Sequence, residues 1–214
     1  MYSVKEAFYS LQGEGARAGR ASVFCRFSGC NLWSGRERDR TLGACRFCDT
    51  DFLGTDGQNG GRFADADSLA DHLAGLWAHA SEHGEPYVVF TGGEPLLQLD
   101  SALIDAMHAR GFEIAVETNG TRVPPPGIDW LCVSPKGMAE LAVTRGDELK
   151  LIYPQSDNRP ERFAGLDFRF FYLQPMDRRP LGGNDTAIEA TVAYCLAHPQ
   201  WRLSLQTHKI AGID

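Results

Sequence analysis

The sequence predicts an α/β fold in which a mostly parallel sheet is wound like an abbreviated, incomplete barrel. Short runs rich in β-branched and aromatic residues are almost continuously apolar, which is typical of strands buried on both faces of a parallel sheet. Helical patterns separate only some of these runs, so strands outnumber good helices by about two to one. The runs are Ala21–Phe27, Tyr87–Thr91, Phe112–Thr118, Trp130–Ser134, Glu148–Tyr153, Phe168–Leu173 and Trp201–Gln206.

Three apolar stripes at helical spacing lie between the predicted strands. Asp67 or Ser68 is a suitable N-cap for the first, and Gly111 is a stop signal after the second. Asn184 or Asp185 is a suitable N-cap for the third. A short helix could also lie at Met138–Val143. The stripes cover Leu69–Ala80, Leu99–Met107 and Asp185–His198.

Charge and hydropathy argue against two classes of protein. The net charge of −7 and the pI near 5.4 argue against a nucleic-acid binder, because such proteins cluster Lys and Arg against phosphates. No apolar run reaches the length of about 18 residues needed to span a membrane. The segment Met1–Arg20 lacks the apolar part of a secretory signal. We therefore expect a cytoplasmic protein with a single domain over residues 1–214.

Three of the six cysteines form a metal-binding pattern. Cys45 and Cys48 make a C-x-x-C pair, and fourteen residues, 31–44, separate this pair from Cys30 like an insertion within a site. Structural zinc usually takes four protein ligands, whereas three cysteines leave one iron of a [4Fe–4S] cluster open. The spacing favours the cluster and leaves zinc as the alternative. The other three cysteines lie singly in apolar runs, where free cysteine is usually buried.

A glycine motif follows the predicted strand Tyr87–Thr91. Gly92 and Gly93 allow the backbone to approach a ligand closely. Glu94 places a carboxylate at the end of the strand, where ligands bind in wound α/β sheets. Alone, the motif could equally be a turn that Pro95 stops. Its position after a strand and downstream of the three cysteines favours a binding site.

Together these motifs resemble the 7-carboxy-7-deazaguanine synthases, a branch of the radical S-adenosylmethionine (SAM) superfamily. The usual superfamily motif is C-x3-C-x2-C with an aromatic residue before the last cysteine. This chain keeps the x2 pair and the aromatic Phe47, and its longer first gap matches this branch. The other matching motifs are L-Q-G-E-G at 11–15, Arg26, C-D-T at 48–50, T-G-G-E-P at 91–95, E-T-N-G at 117–120, S-P-K at 134–136, Q-P-M-D at 174–177 and Q-T-H-K at 206–209.

The resemblance implies an incomplete radical SAM barrel that carries a [4Fe–4S] cluster on the three cysteines. The free iron of the cluster would bind the methionine part of SAM. Glu94 and the Gly93 backbone would hold the SAM ammonium, and Lys136 would meet its carboxylate. The partner of Glu117 is open between SAM and substrate. The remaining cofactor-binding residues implied are Phe47, Asp49, Ser134, Pro135, Gln174, Pro175, Met176 and Asp177.

In this family the substrate is 6-carboxy-5,6,7,8-tetrahydropterin. Arg26 is the residue type that binds its carboxylate through two hydrogen bonds. Thr50 corresponds to the family's Mg²⁺ ligand, a role that suits an ion retaining much of its water shell. The other substrate-binding residues implied are Leu11, Gln12, Gly13, Glu14, Thr91, His208 and the terminal carboxylate of Asp214.

The resemblance implies a radical SAM lyase of queuosine biosynthesis. A radical derived from SAM would remove hydrogen from C6 of the pterin, and the ring would contract. Hydrogen would then return to the ring with regeneration of SAM, and ammonia would leave to give 7-carboxy-7-deazaguanine. A homodimer and a flavodoxin- or ferredoxin-type electron donor are also implied. Two alternatives stay open: another radical SAM enzyme, such as a glycyl-radical activase, and a non-catalytic zinc-binding module.

Overall fold

A computed structural model describes residues 1–77, 84–177 and 186–213. The described residues build a nine-stranded sheet in the order β3-β1-β2-β4-β5-β6-β7-β8-β9. From β2 to β9 every neighbouring pair is parallel, and only β1 runs antiparallel to its neighbours β2 and β3. The two edge strands do not pair, so the sheet is an incomplete barrel, and the predicted fold class is confirmed.

Most strand predictions are confirmed within a few residues. The strands are β1 Tyr2–Leu11, β2 Ala21–Phe27, β3 Gly61–Phe63, β4 Tyr87–Gly92, β5 Glu113–Thr118, β6 Trp130–Val133, β7 Arg145–Tyr153, β8 Asp167–Pro175 and β9 Trp201–Leu203. The helices are α1 Ala66–Trp77, α2 Ser101–Ala109, α3 Ala187–Ala197 and α4 Thr207–Ala211.

The apolar runs do not predict the long strand β1, because Lys5 and Glu6 interrupt its apolar residues. The structure places the Lys5 ammonium 2.9 Å from a carboxylate oxygen of Asp51 and 2.7 Å from one of Asp56. These ion pairs allow a largely buried lysine within a strand.

The cap predicted for α1 is wrong. The Asp65 carboxylate accepts a hydrogen bond from the backbone N–H of Ser68 at 2.8 Å, so the cap precedes both Asp67 and Ser68. The second helix behaves as predicted, since it is followed by Gly111 at φ 78°. The proposed caps of α3 at residues 184 and 185 lie outside the described residues.

The short helix predicted at Met138–Val143 is also wrong. The backbone N–H groups of Ala142 and Val143 both donate to the carbonyl oxygen of Gly120, at 2.9 and 3.1 Å. The backbone of this segment is therefore bonded to the loop after β5 instead of forming helical hydrogen bonds of its own.

The sheet has a different core on each face. Side chains alternate along a strand, so Val88 and Phe90 of β4 pack with α1 and α2, whereas Tyr87 and Val89 lie on the opposite face. A further core under α3 includes Leu151 and Trp201. Within the described ranges, no helix combines the length and hydropathy needed to cross a bilayer.

Candidate active site

The carboxyl ends of the parallel strands surround a cavity of about 460 Å³. Ligands usually bind at this edge of wound sheets, because the loops that follow the strands converge there. The cavity brings together nearly all the site residues expected from the sequence. Among those described, Glu94 and Pro135 do not line it. Asp214 lies outside the described residues. The predicted residues that line the cavity are Leu11, Gln12, Gly13, Glu14, Arg26, Cys30, Cys45, Phe47, Cys48, Asp49, Thr50, Thr91, Gly93, Glu117, Ser134, Lys136, Gln174, Pro175, Met176, Asp177 and His208.

The three cysteine thiols lie along one wall of this cavity. Cys30 follows β2, and its sulfur accepts a hydrogen bond from the Leu32 N–H at 3.4 Å. Burial raises the pKa of the Cys30 thiol. A hydrogen bond from Cys45 lowers the pKa of Cys48 to about 6. Three converging thiols with one low-pKa member fit an iron–sulfur cluster with an open iron. Across the described residues, no three His, Cys, Asp or Glu side chains are grouped to hold a single metal ion.

Glycine is required where β4 meets the cysteine loop. A Cβ atom at Gly93 would collide with the carbonyl oxygen of Gly29 and lie 2.7 Å from the Cβ of Cys30. Gly92 has φ 147°, a conformation that side chains rarely adopt. The Gly-Gly pair therefore lets the backbone at the end of β4 lie directly against Cys30, the first of the three predicted cluster ligands.

The Glu94 carboxylate is buried behind this wall and joins the ends of β4 and β5. One oxygen accepts hydrogen bonds from the Thr118 hydroxyl at 2.7 Å and the Leu96 N–H at 3.0 Å. The other accepts from the Asn119 N–H at 2.8 Å. Burial raises the pKa of Glu94, and these donors partly oppose that shift. Three protein donors thus bind this carboxylate, and it does not line the open cavity.

A second wall contains the S-P-K and Q-P-M-D motifs. The Lys136 ammonium donates to the Ser134 hydroxyl at 2.5 Å. Lys209 of α4 lies 2.9 Å from a carboxylate oxygen of Asp49 and 3.1 Å from one of Asp177. Its ion pairs connect the cysteine loop, the end of β8 and the last helix across the mouth of the cavity.

A separate group of lining residues forms a charge network around the buried Lys150. The Lys150 ammonium lies 2.6 Å from an oxygen of Glu14 and 2.8 Å from an oxygen of Glu117. Burial would raise the pKa of Glu14, but the nearby ammonium outweighs burial and lowers that pKa to about 2. The side-chain amides of Gln174 and Gln206 donate to the other Glu14 oxygen at 3.0 and 2.9 Å. The network fixes an ionised carboxylate in a nearly dry pocket.

Arg26 lies on the same face of β2 as Phe24, as the alternation of that strand predicts, and both line the cavity. Its Nε donates to the Glu6 carboxylate at 2.7 Å. Glu6 therefore fixes the guanidinium from one side. Arginine has five N–H donors in a planar fork, so donors remain for an anionic ligand.

Glu148 is a buried carboxylate that lies outside the cavity lining. It accepts from the Ala16 N–H at 2.9 Å and contacts the Cys132 sulfur at 3.6 Å. Burial raises the pKa of Glu148 to about 7, although Lys150 opposes the shift. Nothing local in the sequence predicts that this carboxylate of β7 is buried beside Cys132.

The sequence alone assigns no role to Lys150. Its position among the apolar residues of β7 nevertheless indicates that the lysine is buried and must have a partner. A lysine inside a buried strand needs a partner, and here it has two. Gln206 and Lys209 belong to the Q-T-H-K motif at 206–209, but nothing local in the sequence predicts which distant side chains they contact.

Comparison with known proteins agrees with this geometry. The profile of the radical SAM superfamily matches residues 41–142. Over 213 residues the chain is 66% identical to the 7-carboxy-7-deazaguanine synthase of Bordetella pertussis, with 99% of each chain covered. It is 63% identical over 212 residues to that of Bradyrhizobium diazoefficiens, again with 99% of each chain covered.

The crystal structure of QueE from Escherichia coli has the same fold. It superposes with a TM-score of 0.72 at 26% sequence identity, and the match covers 96% of this chain and 93% of that one. Full-length similarity to named relatives and the three-cysteine wall lead to one conclusion. The chain belongs to the 7-carboxy-7-deazaguanine synthase family of radical SAM enzymes.

Proposed function

We propose that this enzyme converts 6-carboxy-5,6,7,8-tetrahydropterin into 7-carboxy-7-deazaguanine and ammonia. The observation that carries the proposal is that two dissimilar groups of side chains, which we call the two ends of the cavity, line it: three thiols form one, and an ionised carboxylate held by Lys150 and two amides forms the other. One end suits an iron–sulfur cluster, and the other suits a ring edge that presents several N–H donors.

When bound, the cluster and SAM supply the one-electron chemistry that removes hydrogen from C6 of the pterin. The protein positions the two reactants and excludes water. Lys136 pairs with the SAM carboxylate, and the backbone at Gly93 faces the SAM ammonium. Glu94 fixes the strand ends on which these contacts depend. The Q-P-M-D segment at the end of β8 lines the adenosine.

At the other end, the Glu14 carboxylate accepts hydrogen bonds from the guanine-like edge of the pterin. Gln12 lies beside it, since its side-chain oxygen accepts the Glu14 N–H at 3.1 Å. Arg26 binds the pterin carboxylate with the donors that Glu6 leaves available. His208 and Thr91 contribute further polar contacts. Substrate orientation therefore depends on charge at both ends of the pterin.

Four further features of the active enzyme belong to the same proposal. Thr50 ligates Mg²⁺ through its hydroxyl, with water and substrate oxygens completing the shell. A flavodoxin- or ferredoxin-type protein delivers the electron. The enzyme works as a homodimer. It acts in the cytoplasm, where thiols stay reduced and free to hold a cluster.

The proposal is tested with anaerobically purified, brown protein incubated with SAM, dithionite and the carboxy-tetrahydropterin. Mass spectrometry should detect 7-carboxy-7-deazaguanine in excess over any 5′-deoxyadenosine, because the hydrogen taken from the pterin returns to it. Cys48→Ala should abolish both turnover and iron–sulfide loading, because a cluster ligand is lost. Cys195→Ala is the matched control, since this half-buried cysteine does not line the cavity.

Two results would contradict the proposal. Colourless protein that contains zinc would favour the non-catalytic module. Protein with a cluster that cleaves SAM but leaves the pterin unchanged would favour a different radical SAM activity.

A further inference from the structure

The insertion between Cys30 and Cys45 has a small core of its own. Trp33 is buried, and its ring meets the ring of Phe52 edge-on with centroids 5.7 Å apart. Gly43 lies against the same indole, because a Cβ there would come within 2.9 Å of its ring. This packing fixes the base of the 3-10 helix Glu37–Leu42 close to the cysteine loop.

Arg40 extends from that 3-10 helix to the loop that carries the last two cluster ligands. Its Nη1 donates to the carbonyl oxygens of Arg46 and Cys48, each at 3.0 Å. One side chain of the insertion thus fixes the backbone on both sides of Phe47, immediately beside two predicted cluster thiolates.

The guanidinium is held in place on two further sides. Its Nε donates to both oxygens of the Glu37 carboxylate, at 2.7 and 2.8 Å. Its central carbon lies 4.4 Å from the centre of the Trp33 ring, in a cation–π contact. Although the helix is near the surface, this side chain is only 24% exposed. Such fixation exceeds what a solvated surface arginine would show.

A permanent positive charge at this position has an electrostatic consequence. Reduction adds negative charge to a cluster, so a nearby cation stabilises the reduced form and raises the midpoint potential. The same hydrogen bonds keep the ligand loop in the geometry that the cluster requires. Outer contacts of this kind commonly change metal retention by about 10- to 100-fold.

We propose that Arg40 is a positioning residue for the iron–sulfur cluster: it fixes the Arg46–Cys48 loop and supplies a positive charge beside the cluster. The proposal rests on the proposed function, because it requires a cluster on Cys30, Cys45 and Cys48. It assigns a purpose to the insertion, which carries Arg40, its partner Glu37 and the supporting Trp33.

The test compares Arg40→Met, which removes both the hydrogen bonds and the charge, with Arg40→Lys, which retains only the charge. Arg38→Met is the matched control, since Arg38 is 72% exposed on the same 3-10 helix. Cluster release to a chelator and the midpoint potential from an EPR-monitored titration are measured anaerobically. Thermal unfolding of each protein separates these effects from a folding defect.

Arg40→Met should release its cluster about tenfold faster or more than wild type and show a more negative potential. Arg40→Lys should also release the cluster faster but keep a potential near that of wild type. Arg38→Met should match wild type in both measurements. Glu37→Gln, which loosens the support of Arg40, should give a release rate between wild type and Arg40→Met.

The proposal is overturned if Arg40→Met matches Arg38→Met in both release rate and potential. It is also overturned if Arg40→Lys and Arg40→Met give the same potential, because the charge would then have no effect. Failure of the proposed function is a different result: Cys48→Ala would keep its iron, or the wild-type cluster would not act on the pterin.

Discussion

The end of the cavity proposed for the cluster and the end proposed for the pterin are built in different ways. At the proposed cluster end, the predicted ligands lie within residues 30–48, and hydrogen bonds from nearby segments hold them. At the pterin end, Glu14 and Lys150 meet from strands and loops that are far apart in the chain, and buried charges hold them. The first end is organised by local loop geometry, and the second is preorganised by electrostatics that depend on the whole sheet.

The largest effect should come from Lys150→Met, which tests whether charge organises the pterin end. Without the ammonium, Glu14 and Glu117 are two partly buried carboxylates that share no cation, so the free energy of unfolding should fall by about 3 kcal/mol. Urea denaturation of the anaerobic protein measures this fall. Pterin binding should be lost, and iron content should stay at the wild-type level.

Lys5→Met is the matched control for that experiment. Lys5 also pairs with two carboxylates, but its partners Asp51 and Asp56 are 69% and 83% exposed. Its loss should therefore cost no more than about 1 kcal/mol. If the two substitutions lowered the free energy of unfolding equally, the claim that buried charge organises the Lys150 end of the cavity would be contradicted.

A smaller effect should come from Arg26→Ala, which tests whether substrate and cofactor are bound separately. Two charge-assisted hydrogen bonds would be lost, so pterin affinity should fall by about 10- to 100-fold. SAM affinity should not change, and titration calorimetry with each ligand measures both. Arg20→Ala is the control, because Arg20 pairs with Glu113 and does not line the cavity. Parallel losses of pterin and SAM binding would contradict the role of Arg26.

The smallest effect should come from the pH dependence of Glu148→Gln. Burial raises the pKa of Glu148 from an ordinary 4.5 to about 7, so folding favours its protonated form. That stabilisation is full below about pH 4.5 and is lost as the pH rises towards 7, at no more than about 1.4 kcal/mol per pH unit. The uncharged glutamine should flatten this part of the profile of unfolding free energy.

The pH dependence of the stabilisation by Glu14 has the opposite sign. Its pKa is lowered to about 2, so its contribution is present above its ordinary pKa of 4.5 and is lost only as the pH falls through that acidic range. Between about pH 5 and 8, the difference between the urea-denaturation profiles of wild type and Glu148→Gln therefore reports Glu148, because groups such as Cys48 contribute to both profiles. Parallel profiles for wild type and Glu148→Gln would contradict the assigned protonation.

The sequence predicted the cluster end better than the pterin end, because the signals of the cluster end are local. The cysteine spacing and the Gly92-Gly93 pair can be seen within short windows, and the structure brings them together. The pairing of Lys150 with Glu14 and Glu117 joins β7 to the loop after β1 and to β5, and no short window contains it. The T-G-G-E-P motif identifies Glu94 but does not predict that its carboxylate accepts hydrogen bonds from Thr118 and Asn119.

The errors in secondary structure have the same origin. The charged residues of β1 interrupt its apolar pattern, so the pattern does not predict a strand. Lys5 is accommodated there because it pairs with Asp51 and Asp56 of a distant loop. The segment Met138–Val143 has a helical composition, but the Gly120 carbonyl accepts its N–H groups. In both places a tertiary contact outweighs local preference.

The helix α4 packs against the loop that follows β1. Thr207 donates to the Gly13 carbonyl across 194 positions, and a Cβ at Gly13 would collide with the His208 ring. Contacts so distant in sequence form late, because a long stretch of chain must be ordered before they can be made. During synthesis the three thiols thus emerge and can meet while the pocket proposed for the pterin does not yet exist. A nascent chain could therefore hold iron and sulfide before it could recognise its substrate.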